Sequence, residues 1–167
     1  MVVVDAAVKR APVELLECGP VSPGKYLVLF AGGVAEVDEA LRAGALAAGD
    51  SLLDQLYLAQ VHLELLPALR AGAAGLSVPG ASVGIVELHT VASALRAADA
   101  ACKSAEVHLQ LLHAARGIGG KAWFILRGAL HDVEVAVEAA TQAAGDGLLA
   151  GAEIIAAPHA DLHGHAI

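Results

Sequence analysis

The 167-residue sequence contains few aromatic residues, few charged residues and only two cysteines. Aromatic residues make up 3% of the chain and charged residues 17%, against about 25% charged residues in an average soluble domain. Any core must therefore consist of Ala, Val, Leu and Ile, which supply most of a hydrophobic fraction of 57%. Small domains bury only about two-thirds of the surface that their unfolded chains expose. Because the chain is short and strongly apolar, its composition predicts a homo-oligomer or an extended assembly.

Basic residues and uninterrupted apolar runs are also scarce. Ten Lys and Arg stand against eighteen Asp and Glu, and binding of nucleic-acid phosphates needs clustered positive charge, so we expect no nucleic-acid partner. The most apolar stretch, residues 121–137, contains charges and a glycine, which excludes a membrane span. Met1–Val4 is too short for a signal peptide. Cys18 and Cys102 lack a metal-binding spacing and are typical of a reducing compartment, so we expect a cytoplasmic protein without a membrane partner.

An internal repeat organises the chain. Residues 5–15 align with residues 99–109, with seven of eleven positions identical. After a shift of two residues the match continues over 24–53, where twelve of thirty positions coincide and about three would be expected by chance. The segment 71–80 is rich in Gly and small residues and ends in Pro-Gly, which predicts a flexible linker. We therefore expect a first domain at 1–70 and a second domain at 81–167.

Each repeat has the pattern of an α+β domain. In the second repeat, apolar periodicity predicts six elements in the order strand, helix, strand, strand, helix, strand: 82–88, 91–105, 107–113, 121–127, 132–144 and 148–156. This order is the ferredoxin-like or split-βαβ plan, in which one sheet carries two helices on one face. The first repeat follows the same order but begins late, because Met1 aligns with Leu95. We expect either a start placed downstream of the natural one or a first domain that lacks its initial strand and has an open edge.

Short motifs recur in the same order in both repeats. The second contains Val83-Gly-Ile-Val-Glu87, Ala98-Asp-Ala-Ala-Cys-Lys103, Gly117-Ile-Gly-Gly-Lys121 and Pro158-His159. The first contains Val4-Asp-Ala-Ala-Val-Lys9, Ser22-Pro-Gly-Lys25, Ala48-Gly-Asp50 and His62. With these motifs the chain resembles the bacterial microcompartment shell proteins, specifically the tandem-domain type that forms trimers shaped like hexamers.

The resemblance implies a structural protein and no enzymatic activity. Three chains with two domains each would form a closed pseudohexameric ring, a homotrimer with a central pore for small metabolites. Such tiles assemble with other shell proteins, hexamers and pentamers, into a polyhedral wall around enzymes. The sequence contains no Walker, Rossmann or zinc motif, which agrees with this expectation.

The resemblance also assigns residues to the pore and to the edges of the tile. The pore-lining residues are expected in two loops between strands: Val21, Ser22, Pro23 and Gly24, and Arg116, Gly117, Ile118, Gly119 and Gly120. Glycines there would expose backbone N–H groups that bind anions or polar metabolites. A single loop of this kind is more often a simple turn, but the ring that the resemblance implies favours the pore. Lys25 and Lys121 after the loops would either raise the positive potential of the pore or cap a turn. The expected contacts between tiles are Lys9, Lys103, His62 and His159.

We expect no cofactor and no metal site. In the propanediol-utilisation members of this type a cysteine stands where this chain has Ser22, and three copies of it hold an iron–sulfur cluster. Thiolates normally hold such clusters, so the alternative function, an electron conduit with a cluster at the threefold axis, would depend on Cys18. Cys102 lies on the apolar face of a predicted helix and is expected to be buried. His163 and His165 are expected to belong to a mobile tail.

Overall fold

The computed structural model describes residues 1–71, 81–115, 117–159 and 161. Residues 72–80 of the predicted linker, Arg116, His163 and His165 lie outside the described residues. The chain divides into two compact units, Met1–Ala59 and Gln60–Ile167. Residues 60–70, which the repeat places at the end of the first domain, thus belong to the second compact unit.

The helices and strands follow the predicted order closely. The first unit contains, in chain order, α1 (Val2–Arg10), β1 (Glu14–Val21), β2 (Lys25–Ala31), α2 (Val34–Ala48) and a 3-10 turn (Gly49–Ser51). The second unit contains α3 (Leu65–Ala71), β3 (Ser82–Leu88), α4 (Val91–Ser104), β4 (Val107–Ala114), β5 (Ala122–Gly128), α5 (Leu130–Ala143) and β6 (Leu149–Ile155). No helix in the described part of the chain is long and apolar enough to cross a bilayer.

The second unit has the expected ferredoxin-like sheet. Its four antiparallel strands lie in the order β4-β5-β3-β6, so that β3 is central and pairs with both β5 and β6. Helices α4 and α5 pack on each other and on the sheet. The Thr90 side chain caps α4 by accepting a hydrogen bond from the backbone N–H of Ser93. The element order predicted for the second repeat is confirmed.

Small residues determine how closely α4 and α5 approach each other and the sheet. Fully buried alanines occupy the inner faces of both helices: Ala94, Ala97, Ala98 and Ala101 on α4, and Ala136 and Ala140 on α5. On β3, a Cβ atom added to Gly84 would lie 2.7 Å from Cγ2 of Val137. Gly84 is therefore required for the close contact between β3 and α5.

The first unit repeats this plan from the second half of the first helix onward. Its β1–β2 hairpin corresponds to β4–β5, and both hairpins are antiparallel. The pairing shifts between Leu15 and Glu17 in β1 and between Leu109 and Leu111 in β4, which are matched positions of the repeat. Both copies thus contain a bulge at the same place, which supports the alignment of the two repeats.

The first unit ends without the strand that corresponds to β6. Residues 52–59 contain no strand, although Leu52 and Leu53 match Leu148 and Leu149. Since β6 pairs with β3 alone, its counterpart has no partner when the counterpart of β3 is missing. The expectation that the first repeat follows the same order to its end is therefore wrong for its last strand.

In the described chain the sheet of the first unit has two strands, and β2 is less buried than its counterpart β5. Val28, Leu29 and Phe30 of β2 are half-buried, whereas their counterparts on β5 are fully buried: Phe124, Ile125 and Leu126. The core that remains is small, with buried Ala7, Ala11 and Ala40 and the half-buried Val13 packed against them.

Candidate functional site

The first candidate pore loop is the turn of the β1–β2 hairpin. Val21 and Lys25 are paired across the hairpin, and the three residues between them, Ser22, Pro23 and Gly24, are exposed. Gly24 has φ +65°, a left-handed conformation that favours glycine, while a Cβ atom there would contact nothing within 4 Å. Backbone conformation, and not lack of space, therefore requires glycine at this position.

The second candidate pore loop is the turn of the β4–β5 hairpin. All three of its glycines are left-handed: Gly117 (φ +77°), Gly119 (φ +71°) and Gly120 (φ +81°). The turn is closed by a hydrogen bond of 3.3 Å from the Lys121 backbone N–H to the Ile118 carbonyl oxygen. The two loops therefore occupy equivalent hairpins, as the repeat predicts, and both expose glycine backbone to solvent.

The lysine that follows the second loop is paired with an acidic residue. Lys121 Nζ lies 3.0 Å from Glu87 Oε1, and both side chains are partly exposed. The carboxylate offsets part of the positive charge that Lys121 brings to the loop. Its backbone N–H closes the turn, as that of any residue except proline could at this position.

Cys18 lies within β1, away from the first loop. Cys18 is exposed and pairs across the hairpin with Val28. The pKa of Tyr26 is raised, first by loss of hydration and then by the charge and hydrogen bonding of Cys18. The loop itself presents a hydroxyl at Ser22, which does not fit the thiolate ligation of an iron–sulfur cluster. Among the residues that the structure describes, no group of three or more His, Cys, Asp or Glu is placed to hold a metal ion.

Cys102 is buried on the inner side of α4, as its place in the apolar stripe predicts. Burial raises the pKa of its thiol to about 12, and the nearby Glu64 and Asp99 carboxylates contribute to the rise. The thiol is therefore protonated at neutral pH and is unsuited to ligate a metal or to react as a nucleophile.

Arg127 on β5 is a buried charged residue that the sequence patterns did not indicate. Its Nε donates a hydrogen bond to Gln110 Oε1 on β4, and burial lowers the pKa of its guanidinium group. Its Nη1 has no hydrogen-bond partner among the described residues. Gln110 occupies the β4 bulge, so the contact joins the two strands at their irregular position.

An Asp–Lys pair on α4 binds the backbone of residues 60–62. Asp99 Oδ1 accepts a hydrogen bond of 2.8 Å from the backbone N–H of His62, and Asp99 Oδ2 lies 2.6 Å from Lys103 Nζ. Lys103 Nζ also donates to the carbonyl oxygen of Gln60. The Asp99 side chain is only 8% exposed, so these two partners compensate the cost of burying its charge.

Glu64 fixes the same segment to β4. Its Oε2 accepts a hydrogen bond of 2.6 Å from the backbone N–H of Leu109, and its Oε1 lies 3.1 Å from Nδ1 of His108. Leu65, which follows it, is 2% exposed. Residues 60–65 are thus held by hydrogen bonds to backbone and side-chain atoms and by the burial of Leu65.

The sequence patterns pointed to Lys103 and His62 separately and missed the residue that connects them. That residue, Asp99, was identifiable, because Asp5 occupies the matched position of the first repeat. Asp5 Oδ2 lies 2.7 Å from Lys9 Nζ, so the first unit contains the same pair. There, however, the Lys9 and Asp5 side chains are 73% and 60% exposed.

His159, the remaining predicted edge residue, is exposed near the end of the described chain. Its Nδ1 accepts a hydrogen bond of 3.3 Å from the backbone N–H of Asp161. Nδ1 of His62 likewise accepts a hydrogen bond of 3.4 Å from the backbone N–H of Glu64. The two histidines therefore make the same local hydrogen bond in different surroundings.

Comparison with known proteins identifies the repeated unit. The BMC domain family matches residues 1–61 and 82–158. The bacterial microcompartment shell protein PduT of Citrobacter freundii is 40% identical over 158 residues, which cover 93% of this chain and 84% of that protein. These matches confirm the family resemblance that the sequence motifs indicated.

Solved structures show the same relationship. A microcompartment protein from Desulfitobacterium hafniense superposes with a TM-score of 0.85 at 39% identity, covering 96% of this chain and 88% of that one. A fused, permuted hexameric shell protein of the RMM microcompartment superposes with a TM-score of 0.61 at 23% identity, covering 85% of this chain and 75% of that one, and shows a shared fold. The chain therefore belongs to the BMC-domain shell proteins of bacterial microcompartments and carries two copies of the domain.

Proposed function

We propose that the chain forms a homotrimeric, pseudohexameric tile of a microcompartment shell, with a central pore for small metabolites. The duplication carries this proposal, because each domain places a glycine-containing hairpin turn at the equivalent position. Three copies of a two-domain chain supply six such turns, and a closed ring is the common symmetry of homo-oligomers. The proposed domains remain 1–70 and 81–167, joined by the linker 71–80. The family is structural, and we propose no catalytic activity.

The proposed pore is lined by the two hairpin loops in alternation. The first loop contributes Val21, Ser22, Pro23 and Gly24, and the second contributes Arg116, Gly117, Ile118, Gly119 and Gly120. Gly24 and Gly117 of these loops are exposed and carry no side chain over their backbone, and Ser22 adds a hydroxyl. Such groups bind polar or anionic small molecules, which is the class of metabolite that we propose passes the pore.

The proposed edges of the tile contain Lys9, Lys103, His62 and His159, which would contact neighbouring shell proteins, both hexamers and pentamers. Lys103 remains 45% exposed although it contacts Asp99 and Gln60, and Lys9 is 73% exposed. Lys103 shows that a lysine at this position contacts an aspartate and a backbone carbonyl and still presents surface to a neighbouring tile. The alternative function, an electron conduit, has no support in the first loop, because Ser22 supplies a hydroxyl where a cluster would need a thiolate.

Sedimentation and distance measurements test the trimer and its pore. Sedimentation equilibrium should give three chains per particle, and electron micrographs of the particles should show six lobes around a hole. In a Cys18→Ser background, spin labels at Ser22→Cys should give a single short set of distances between chains. Labels at Val34→Cys, at the opposite end of β2 from the turn, should give longer ones. Equal distances, or longer ones at Ser22, would contradict the pore assignment.

A further inference from the structure

An Asp–Lys ion pair occurs at matched positions of the two repeats, and in the second repeat it binds a backbone segment. On α4, Asp99 and Lys103 bind the His62 N–H and the Gln60 carbonyl oxygen, and the Asp99 side chain is 8% exposed. On α1, the matched Asp5 and Lys9 form the same ion pair, and the Asp5 side chain is 60% exposed. The Asp5–Lys9 pair thus has nearly the same distance as the Asp99–Lys103 pair, 2.7 Å against 2.6 Å, but its side chains are exposed.

The segment that fills the pair on α4 also exists twice. Residues 58–62, Leu-Ala-Gln-Val-His, match residues 155–159, Ile-Ala-Ala-Pro-His. In each segment the histidine Nδ1 accepts a hydrogen bond from the backbone N–H two residues later, at 3.4 Å for His62 and 3.3 Å for His159. His159 and Asp161 are 76% and 91% exposed. The second segment shares this local hydrogen bond with the bound one, and its Ala157 and His159 are exposed.

The observed contact uses backbone atoms, so it does not depend on the side chains that differ between the two segments. Lys103 binds the carbonyl oxygen of Gln60, and Ala157 offers the same oxygen at the matched position. Asp99 binds the N–H of His62, which His159 also has. Proline at 158 replaces Val61, whose N–H takes no part in these bonds. The Glu64 contact with His108 is not carried over, because Glu14 occupies the position matched to His108.

We propose that the Asp5–Lys9 pair of one chain binds residues 157–159 of a second chain. Lys9 Nζ donates to the Ala157 carbonyl oxygen, and the His159 N–H donates to the Asp5 carboxylate. The contact joins the end of one chain to the beginning of the next, so three identical contacts close the ring of the proposed trimer. It adds to that proposed function the residues that hold its subunits together.

Cross-linking distinguishes this contact from any other way of forming a trimer. In a Cys18→Ser background, Lys9→Cys is combined with Ala157→Cys and treated with a short bis-maleimide; Cys102 is buried and does not compete. We expect covalent products of two and three chains on a denaturing gel. The matched control, Lys103→Cys with Gln60→Cys, should cross-link within single chains, because the structure places those residues in contact in one chain.

The outcomes separate failure of this inference from failure of the trimer. A protein that sediments as a trimer but yields no product between chains overturns the inference and leaves the proposed function intact. A protein that sediments as a single chain overturns both. Cross-linked products that contain more than three chains support the contact but overturn the closed trimeric ring.

A second measurement avoids cysteine chemistry. Asp5→Ala removes a charge-assisted hydrogen bond and should raise the concentration at which trimers dissociate by about tenfold or more. Asp38→Ala breaks an exposed pair with Arg42 on α2, 2.8 Å apart and of the same spacing, and should leave that concentration unchanged within about twofold. Equal effects of the two substitutions would contradict the proposed contact.

Discussion

The backbone N–H of His62 donates a hydrogen bond of 2.8 Å to the carboxylate of Asp99, 37 positions away. The same carboxylate pairs with Lys103, which in turn holds the carbonyl oxygen of Gln60. A single nearly buried aspartate therefore fixes the course of the chain at the end of the first repeat. Its match in the first unit, Asp5, makes the same ion pair in solvent.

Asp99→Ala should destabilise the protein strongly. The substitution leaves the His62 N–H and the Lys103 amine without their shared acceptor, which should lower the free energy of unfolding by about 2–4 kcal/mol. Urea denaturation followed by circular dichroism measures the change. Asp38→Ala, which removes an exposed carboxylate from an ion pair of the same spacing, should cost less than about 0.5 kcal/mol. Similar losses for the two variants would show that burial of Asp99 is unimportant.

Gly84→Ala should weaken the packing of β3 against α5. The added Cβ would lie 2.7 Å from Cγ2 of Val137 and 3.0 Å from Cγ1 of Val133, both on a buried helix face. Overpacking of this kind costs about 1–3 kcal/mol of unfolding free energy. Gly151→Ala on β6, where a Cβ would contact nothing within 4 Å and φ is not left-handed, should be neutral or slightly stabilising. Thermal unfolding of the two variants provides the comparison.

The two cysteines should differ in reactivity and in their effect on alkaline stability. At pH 8 a thiol reagent should modify the exposed Cys18 and leave Cys102, whose pKa is raised to about 12, unmodified. Because the folded pKa of Cys102 lies above its ordinary value, its contribution to stability is complete below about pH 9 and falls as the pH rises toward 12.

Cys102→Ala tests this pH dependence. The variant should lose stability less steeply than the native protein between pH 9 and pH 11, as measured by urea denaturation at each pH. Rapid modification of Cys102 in the folded protein at pH 8 would contradict its burial.

A strand supplied ahead of Met1 should complete the sheet of the first unit. Fusing a copy of residues 81–94 to the N-terminus places a β3 sequence beside β2 and offers residues 52–59 a partner. We expect burial of Val28, Leu29 and Phe30, slower amide exchange along β2 and a stability gain of more than about 1 kcal/mol. A fusion of equal length made of Gly, Ser and Asn should change neither quantity. Unchanged amide exchange along β2 in the fusion that carries residues 81–94 would show that the edge of β2 does not accept this strand.

The elements of the second unit were predictable because their signals are local. Strand β3 matches the predicted 82–88, and α4 ends one residue before the predicted Ala105. Apolar periodicity, the glycines of the hairpin turn and Gly145 after α5 mark these boundaries within the segment itself. The hairpin of the first unit was predictable for the same reason, since β1 and β2 are neighbours in sequence and pair only with each other.

Features that depend on distant residues were not predictable from these patterns. Leu52 and Leu53 are identical to the start of β6, yet they form no strand because strand formation there requires a central partner. The roles of Lys103 and His62 were incomplete for the same reason, because the hydrogen bonds of Asp99 join segments that the sequence separates. The assignments to the pore and to the tile edges remain predictions that the experiments above address.

The buried alanines of α4 and α5 affect the thickness of the shell wall. A methyl group has no rotamer to restrict, so these contacts form without loss of side-chain entropy. Long side chains would keep the helices further from each other and from the strands, and would allow them to slide. A layer of the proposed tiles would therefore be thin, and a solute that passes through the proposed pore would travel only a short way between the interior and the exterior of the container.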